Sequence, residues 1–141
     1  MLPGVKSTSY AVNMAAEAEA RRRGADDAVF VDHAGLVLEG PTTNVWWRRE
    51  QTLFTPTLEL GILAGVTRAT VIDLAVELGY EVAEGAYQLV ELATSEEAFT
   101  TSSIREVMPV TELDGAPIAS GPAADELQAA LRRAAGATLQ S

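Results

Sequence analysis

The sequence contains no cysteine and a single histidine, His33. Without thiols there are no disulfides and no thiolate chemistry, which fits a reducing compartment and makes the cytoplasm the expected location. His33 stands beside Asp32 and ahead of Ala34-Gly35, in what reads as a hairpin turn, so no histidine-built metal site is expected. Positive charge is also scarce: 10 Lys and Arg stand against 20 Asp and Glu, for a net charge of −10. Neither nucleic acid nor an anionic membrane is attracted to such a chain. No apolar run approaches the ~20 residues of a membrane span, and no charged-then-apolar signal pattern opens the sequence. What is present is ordinary for a folded protein. Hydrophobic residues make up 48% and charged residues 21% of 141 positions, the size and composition of one domain around a single core.

The chain is best read around Leu36-Val37-Leu38-Glu39-Gly40-Pro41-Thr42-Thr43-Asn44-Val45-Trp46-Trp47. Two apolar runs flank Gly40-Pro41, which breaks the pattern between them, and this spacing predicts strands on either side. Glu39 then sits at the lip of a sheet. A carboxylate there is costly unless a cation meets it, and a merely solvated strand-end glutamate is the bland alternative. Upstream, Pro3 and Gly4 discourage a helix near the start, Lys6 falls in a loop, and Ser7, Thr8 or Ser9 can cap a helix over residues 10–23. Ala11, Met14, Ala15 and Ala18 share one face of that helix. Arg21-Arg22-Arg23 suit the negative end of its dipole, with an anion site as the weaker alternative, and Gly24 ends it.

Residues 28–31, 36–38, 44–48 and 52–56 read as an antiparallel meander. Trp46 and Trp47 are adjacent, so on a strand one faces the core and the other faces outward, towards another domain or subunit. Gly65-Val66-Thr67-Arg68 opens the clearest helix, in which Val71, Leu74, Ala75 and Leu78 repeat at helical spacing until Gly79. A strand over residues 80–87, a short helix over 89–93 and two strands around the Ser102-Ser103 corner follow. Asp114-Gly115 is a hairpin signal, and a helix over 123–135 closes the chain.

Chemistry-bearing residues gather at few points: Lys6, Glu39, Thr67 in the first turn of a helix, and the Ser102-Ser103 corner. Free N–H groups at a helix start attract anions, and a hydroxyl adds a donor; the plainer readings are that Thr67 caps its helix and that the serines form a turn. Taken in order, Lys6, Glu39-Gly40-x-x-x-Asn44, Gly65-Val66-Thr67-Arg68 and Phe99-x-x-Ser102-Ser103-x-x-Glu106-Val107-x-Pro109-Val110 resemble the C-terminal domain of class IV aminotransferases. These fold-type IV pyridoxal-phosphate enzymes comprise branched-chain and D-amino acid aminotransferases, R-selective amine transaminases and aminodeoxychorismate lyases. The resemblance covers most of the chain.

It implies an α+β fold, a mainly antiparallel, barrel-like sheet flanked by helices with the cofactor at one mouth. It also implies that Lys6 forms the Schiff base with pyridoxal 5'-phosphate and moves the substrate proton. Glu39 would hold the pyridine nitrogen protonated, making the ring an electron sink. Val66 and Thr67 would bind the phosphate, with Ser102 and Ser103 completing the cup. Tyr10 matches an active-site tyrosine, one residue closer to the lysine than in branched-chain enzymes. Asn44 and Arg68 match positions that support the loops. Family members carry a further N-terminal domain and dimerise, so this chain is expected to be the cofactor-binding domain of a homodimeric enzyme in truncated form. The expected substrates are an amino acid and a 2-oxo acid. A lyase giving p-aminobenzoate and pyruvate from 4-amino-4-deoxychorismate is the alternative, and a non-catalytic assembly domain is the alternative of another class.

Overall fold

The computed structural model describes the backbone of residues 6–140 and the side chains of residues 11–136. The sheet grows from the hairpin of β1 (Asn44–Arg49) and β2 (Thr52–Pro56), whose aromatic and β-branched residues suit a pleated surface. Glu50 accepts a left-handed conformation, φ 52°, to turn the hairpin. The chain leaves β2 through a single turn of 3-10 helix, Leu58–Leu60, and rises into α2 (Val66–Glu77). That helix is a crossover, so β3 (Glu81–Gly85) returns parallel to β2. After α3 (Leu89–Ala93), β4 (Glu97–Ser102) pairs with the free side of β1, and β5 (Glu106–Val110) pairs with β4. The hairpin of β6 (Glu112–Leu113) and β7 (Ala116–Pro117) stands apart, and α4 (Ala123–Gln140) closes the chain.

The α+β class expected from sequence is found, but the barrel is not. The five strands lie in the order β3-β2-β1-β4-β5, with the β2–β3 pairing parallel and the other three antiparallel. β3 and β5 are edges that do not meet. The sheet is mixed and open, because the α2 crossover places β3 at one edge while β5 ends the other.

The two tryptophans do point to opposite faces, yet both are buried. Trp46 stacks on Phe99 with ring centroids 5.8 Å apart, in a core with Val71, Ala75, Ala123 and Leu127 from α2 and α4. Trp47 packs against Phe54 and Tyr87, covered by Val37, Leu92 and Ile118. The chain therefore covers the second face of the sheet with its own loops and α3, and the expectation of an outward tryptophan is corrected.

Two further expectations change. α1 runs Lys6–Arg22, so the lysine position opens the helix instead of preceding it. The face shared by Ala11, Met14, Ala15 and Ala18 is exposed, whereas Ala20 is buried. An alanine-rich helix has little contrast between its sides, so spacing could not say which one packs. Residues 28–38 form no regular strands. Asp32 draws in the N–H groups of Ala34 and Leu36, both at 2.9 Å, and only the bridges Val31–Val37 and Leu36–Gln88 form.

Candidate active site

Strand directions gather the motif residues at one end of the sheet. β1 begins there at Asn44, opposite Thr101, the last residue but one of β4. β2 and β3 end there at the Pro56–Gly85 pair, and the chain leaves β2 at this end to reach the start of α2. Loop 40–43 delivers Glu39 to the same place. Asn13 of α1 donates to the carbonyl of Pro41 at 2.8 Å, which ties the helix that Lys6 opens to the loop following Glu39. The side chains of Lys6 and Tyr10 lie outside the described residues.

Glu39 is half-buried, and its carboxylate Oε2 accepts the N–H of Leu63 at 3.0 Å. Burial pushes its pKa above the ordinary glutamate value, and the Leu63 hydrogen bond only partly opposes this. No basic side chain among the described residues forms an ion pair with it. A partly desolvated carboxylate with one amide donor is short of positive charge, which is the environment a cationic ring nitrogen fits.

The start of α2 has matching character. Gly65 is its N-cap, with φ −65° and ψ 142°, and no side chain caps the first turn. Thr67 is thus the second helical residue and not the cap, and its hydroxyl makes no hydrogen bond to a described residue; Val66 is largely exposed. Open N–H groups beside a free hydroxyl are suited to an anion such as a phosphate. Ser102 ends β4, and its Oγ accepts the N–H of Arg105 at 2.9 Å, which leaves its O–H proton to donate. Ser103 is exposed in the turn beyond, with no side-chain hydrogen bond to a described residue. The structure thus brings Glu39, Asn44, the 63–67 segment and Ser102 to one sheet end, while Ser103 stands at its outer rim.

Arg68 is almost fully buried and clamps two strand ends. Its Nη2 donates to the carbonyl of Pro56 at 3.1 Å and to Glu84 Oε1 at 2.5 Å, and its Nε has no partner among the described residues. Sequence reasoning missed Glu84 as the partner and Leu63 as the donor to Glu39. Glu84 lies on β3, at the sheet edge beside β2, but nothing in its sequence neighbourhood links it to Arg68. Leu63 acts through its backbone and leaves no side-chain signal. Among the described residues no group of three or more histidine or acidic side chains could hold a metal ion, and no helix is long and apolar enough to cross a membrane.

Comparison with known proteins identifies the family of the chain. The profile of the amino-transferase class IV family matches residues 1–113. The aminodeoxychorismate lyase of Bacillus subtilis is 38% identical over 110 residues, covering 78% of this chain and 38% of that protein. A putative branched-chain-amino-acid aminotransferase of Methanocaldococcus jannaschii is 40% identical over 113 residues, covering 80% of this chain and 39% of the relative. Among solved structures, the T.th. branched-chain amino acid aminotransferase complexed with N-(5'-phosphopyridoxyl)-L-glutamate superposes with a TM-score of 0.84 at 34% identity, over 89% of this chain and 43% of that one. The chain thus spans about two-fifths of the length of these relatives.

Proposed function

Because this chain belongs to the class IV aminotransferases, a family of pyridoxal-phosphate enzymes, we propose that it binds pyridoxal 5'-phosphate and moves an amino group between an amino acid or amine and a 2-oxo acid. The observation that carries the proposal is Glu39: a half-buried carboxylate with one amide donor and no cationic partner among the described residues, at the sheet end where α2 opens uncapped. In this reading Glu39 meets the protonated ring nitrogen. The N–H groups of Val66 and Thr67, with the hydroxyls of Thr67, Ser102 and Ser103, receive the phosphate. Lys6 anchors the cofactor covalently and carries the proton to and from the substrate α-carbon, and Tyr10 borders the same pocket. When bound, the cofactor supplies an electron sink for the pair released as the substrate C–H bond breaks. Pairing with Glu39 keeps the nitrogen positive, which an uncharged side chain there would not do.

The proposal extends to a homodimeric enzyme acting in the cytoplasm. A second reading, elimination of pyruvate from 4-amino-4-deoxychorismate, is favoured by the 38% identity to the Bacillus subtilis lyase. A non-catalytic assembly domain would have no need of a half-buried carboxylate without a cationic partner among the described residues. Absorbance separates these readings first. Titration with pyridoxal 5'-phosphate should give a visible band that borohydride removes and that Lys6→Ala abolishes; a chain that stays colourless contradicts the proposal. Assay with alanine plus 2-oxo acids, and separately with aminodeoxychorismate, then distinguishes transaminase from lyase.

A further inference from the structure

Asn44 is assigned no contact with the cofactor, yet its side chain sits where the two halves of the proposed site join. It is the first residue of β1 and is buried, with 8% of its surface exposed. Its Nδ2 donates to the carbonyl of Leu63 at 3.3 Å, and its Oδ1 lies so close to Gly65 that a Cβ on that glycine would come within 2.7 Å of it. The N–H of the same Leu63 donates to Glu39 at 3.0 Å. The N–H of Gly65 also turns back to the Leu63 carbonyl, at 3.1 Å, and Gly65 is the N-cap of α2. Leu63 is therefore gripped on one side by Glu39 and on the other by Asn44, two residues before the N-cap Gly65.

We propose that Asn44 is a positioning residue that couples the two ends of the site, fixing Leu63 so that its N–H meets Glu39 while the first turn of α2 is held in place. The coupling is carried by contacts within this chain; only its meaning, a link between the ring-nitrogen end and the phosphate end, rests on the function proposed above. A residue that merely filled the start of β1 would leave the Glu39–Leu63 contact unaltered when replaced. At metal sites, replacing a group that orients a ligating side chain typically costs about 10–100-fold in affinity or activity, and the lower end of that range is the expectation here.

The test follows the backbone amide of Leu63 by 15N–1H NMR through a pH titration of the full 141-residue chain. An amide bonded to a carboxylate shifts as that carboxylate ionises, so in the wild type the Leu63 signal reports Glu39. Asp27 is the other carboxylate facing this loop: it accepts the Thr43 hydroxyl at 3.2 Å and lies beside Gly40. The N–H of Ala28, which donates to Asp27 at 2.8 Å, reports that neighbour separately. In Asn44→Ala the pH-dependent shift of Leu63 should fall at least about twofold, and Glu39 should titrate at higher pH for want of its amide donor. The dissociation constant of pyridoxal 5'-phosphate should rise by about tenfold. Asn44→Leu keeps the approximate size, loses the donor and adds no titrating group, and gives the same readout should the alanine variant not fold. Thr42→Ala, at an exposed position of the same loop, should leave all three signals unchanged. Persistence of the Leu63 titration in an Asn44 variant overturns the proposal, as does its loss with cofactor affinity intact. A wild-type chain that shows the Asn44-dependent titration but binds no pyridoxal 5'-phosphate sinks the cofactor reading and leaves the coupling standing.

Discussion

Removing the carboxylate of Glu97 should be among the most damaging single changes in this fold. Glu97 opens β4, an interior strand between β1 and β5, and is 2% exposed. Its Oε1 accepts the N–H of Ala123 at 2.9 Å and Nε of Arg48 at 2.9 Å, and its Oε2 accepts the N–H of Ala124 at 2.8 Å. One side chain thus caps the start of α4, ties that helix to β4 and neutralises an arginine that is itself mostly buried. Glu97→Ala leaves two helix amides and one face of a guanidinium without acceptors. Loss of a helix cap costs about 1 kcal/mol, and stranding the partner of a buried ion pair costs about 3–5 kcal/mol. Arg48 keeps Glu96 at 3.1 Å and the carbonyl of Glu50 at 2.9 Å, so it is not wholly abandoned. The two effects together then come to about 3–4 kcal/mol, a large share of the roughly 5–15 kcal/mol that holds a domain folded. Glu97→Gln retains an oxygen for one amide and should lose about half as much. Urea unfolding followed by tryptophan fluorescence reads this directly, because Trp46 and Trp47 are both buried in the native state. A loss below about 1 kcal/mol for the alanine variant would refute the reasoning, since that is no more than a cap alone is worth.

Glu39→Gln should raise the stability of the cofactor-free chain at neutral pH by about 0.5–1 kcal/mol, within the range usual for stabilising substitutions, while weakening cofactor binding without abolishing it. The sign follows from the raised pKa of Glu39: folding favours its protonated form, so stability is highest in acid and falls as pH rises through its folded pKa. Thermal melts against pH should show that slope in the wild type and not in the variant. Tyr80, buried and donating to Glu126 Oε2 at 3.0 Å, has its pKa pushed up to about 12 by burial and then by that hydrogen bond. Its contribution to stability is complete below the ordinary tyrosine value of about 10 and is lost as pH rises through about 12. Tyrosinate absorbance should therefore lose its latest-titrating step in Tyr80→Phe, and an unchanged titration curve would contradict the assignment. Gly65→Ala places a Cβ 2.7 Å from Asn44 Oδ1 on a backbone that otherwise permits alanine. It should cost about 1–3 kcal/mol in urea unfolding, with weakened binding of pyridoxal 5'-phosphate alongside.

What the sequence disclosed was what breakers and periodicity control. Gly40-Pro41 marked the bend that holds Glu39, Gly65 and Gly79 bracketed α2, and Ser102-Ser103 fell at the β4–β5 corner. Contacts made at long range were hidden. The side on which α1 packs depends on what meets it, and its alanines look alike from every direction. That Trp47 is covered follows from loop 28–38 and α3 lying over the second face, which no local pattern announces. The open sheet follows from one crossover, because α2 fixes β3 parallel to β2 at an edge. At the site, the carboxylate and the hydroxyls were readable as residue types, but the Leu63 amide and the Arg68–Glu84 clamp were not. The first is backbone, and the second joins residues sixteen apart on different elements.

The account rests on Glu39 acting as the counter-charge of the cofactor ring nitrogen, and 15N NMR of pyridoxal 5'-phosphate labelled at that nitrogen measures this most directly. Bound to the wild-type chain, the label should resonate as a protonated pyridinium and hold that shift well above the pH at which the free cofactor loses its proton; in Glu39→Gln it should resonate as the neutral ring. The same ring-nitrogen shift in both proteins would contradict the account.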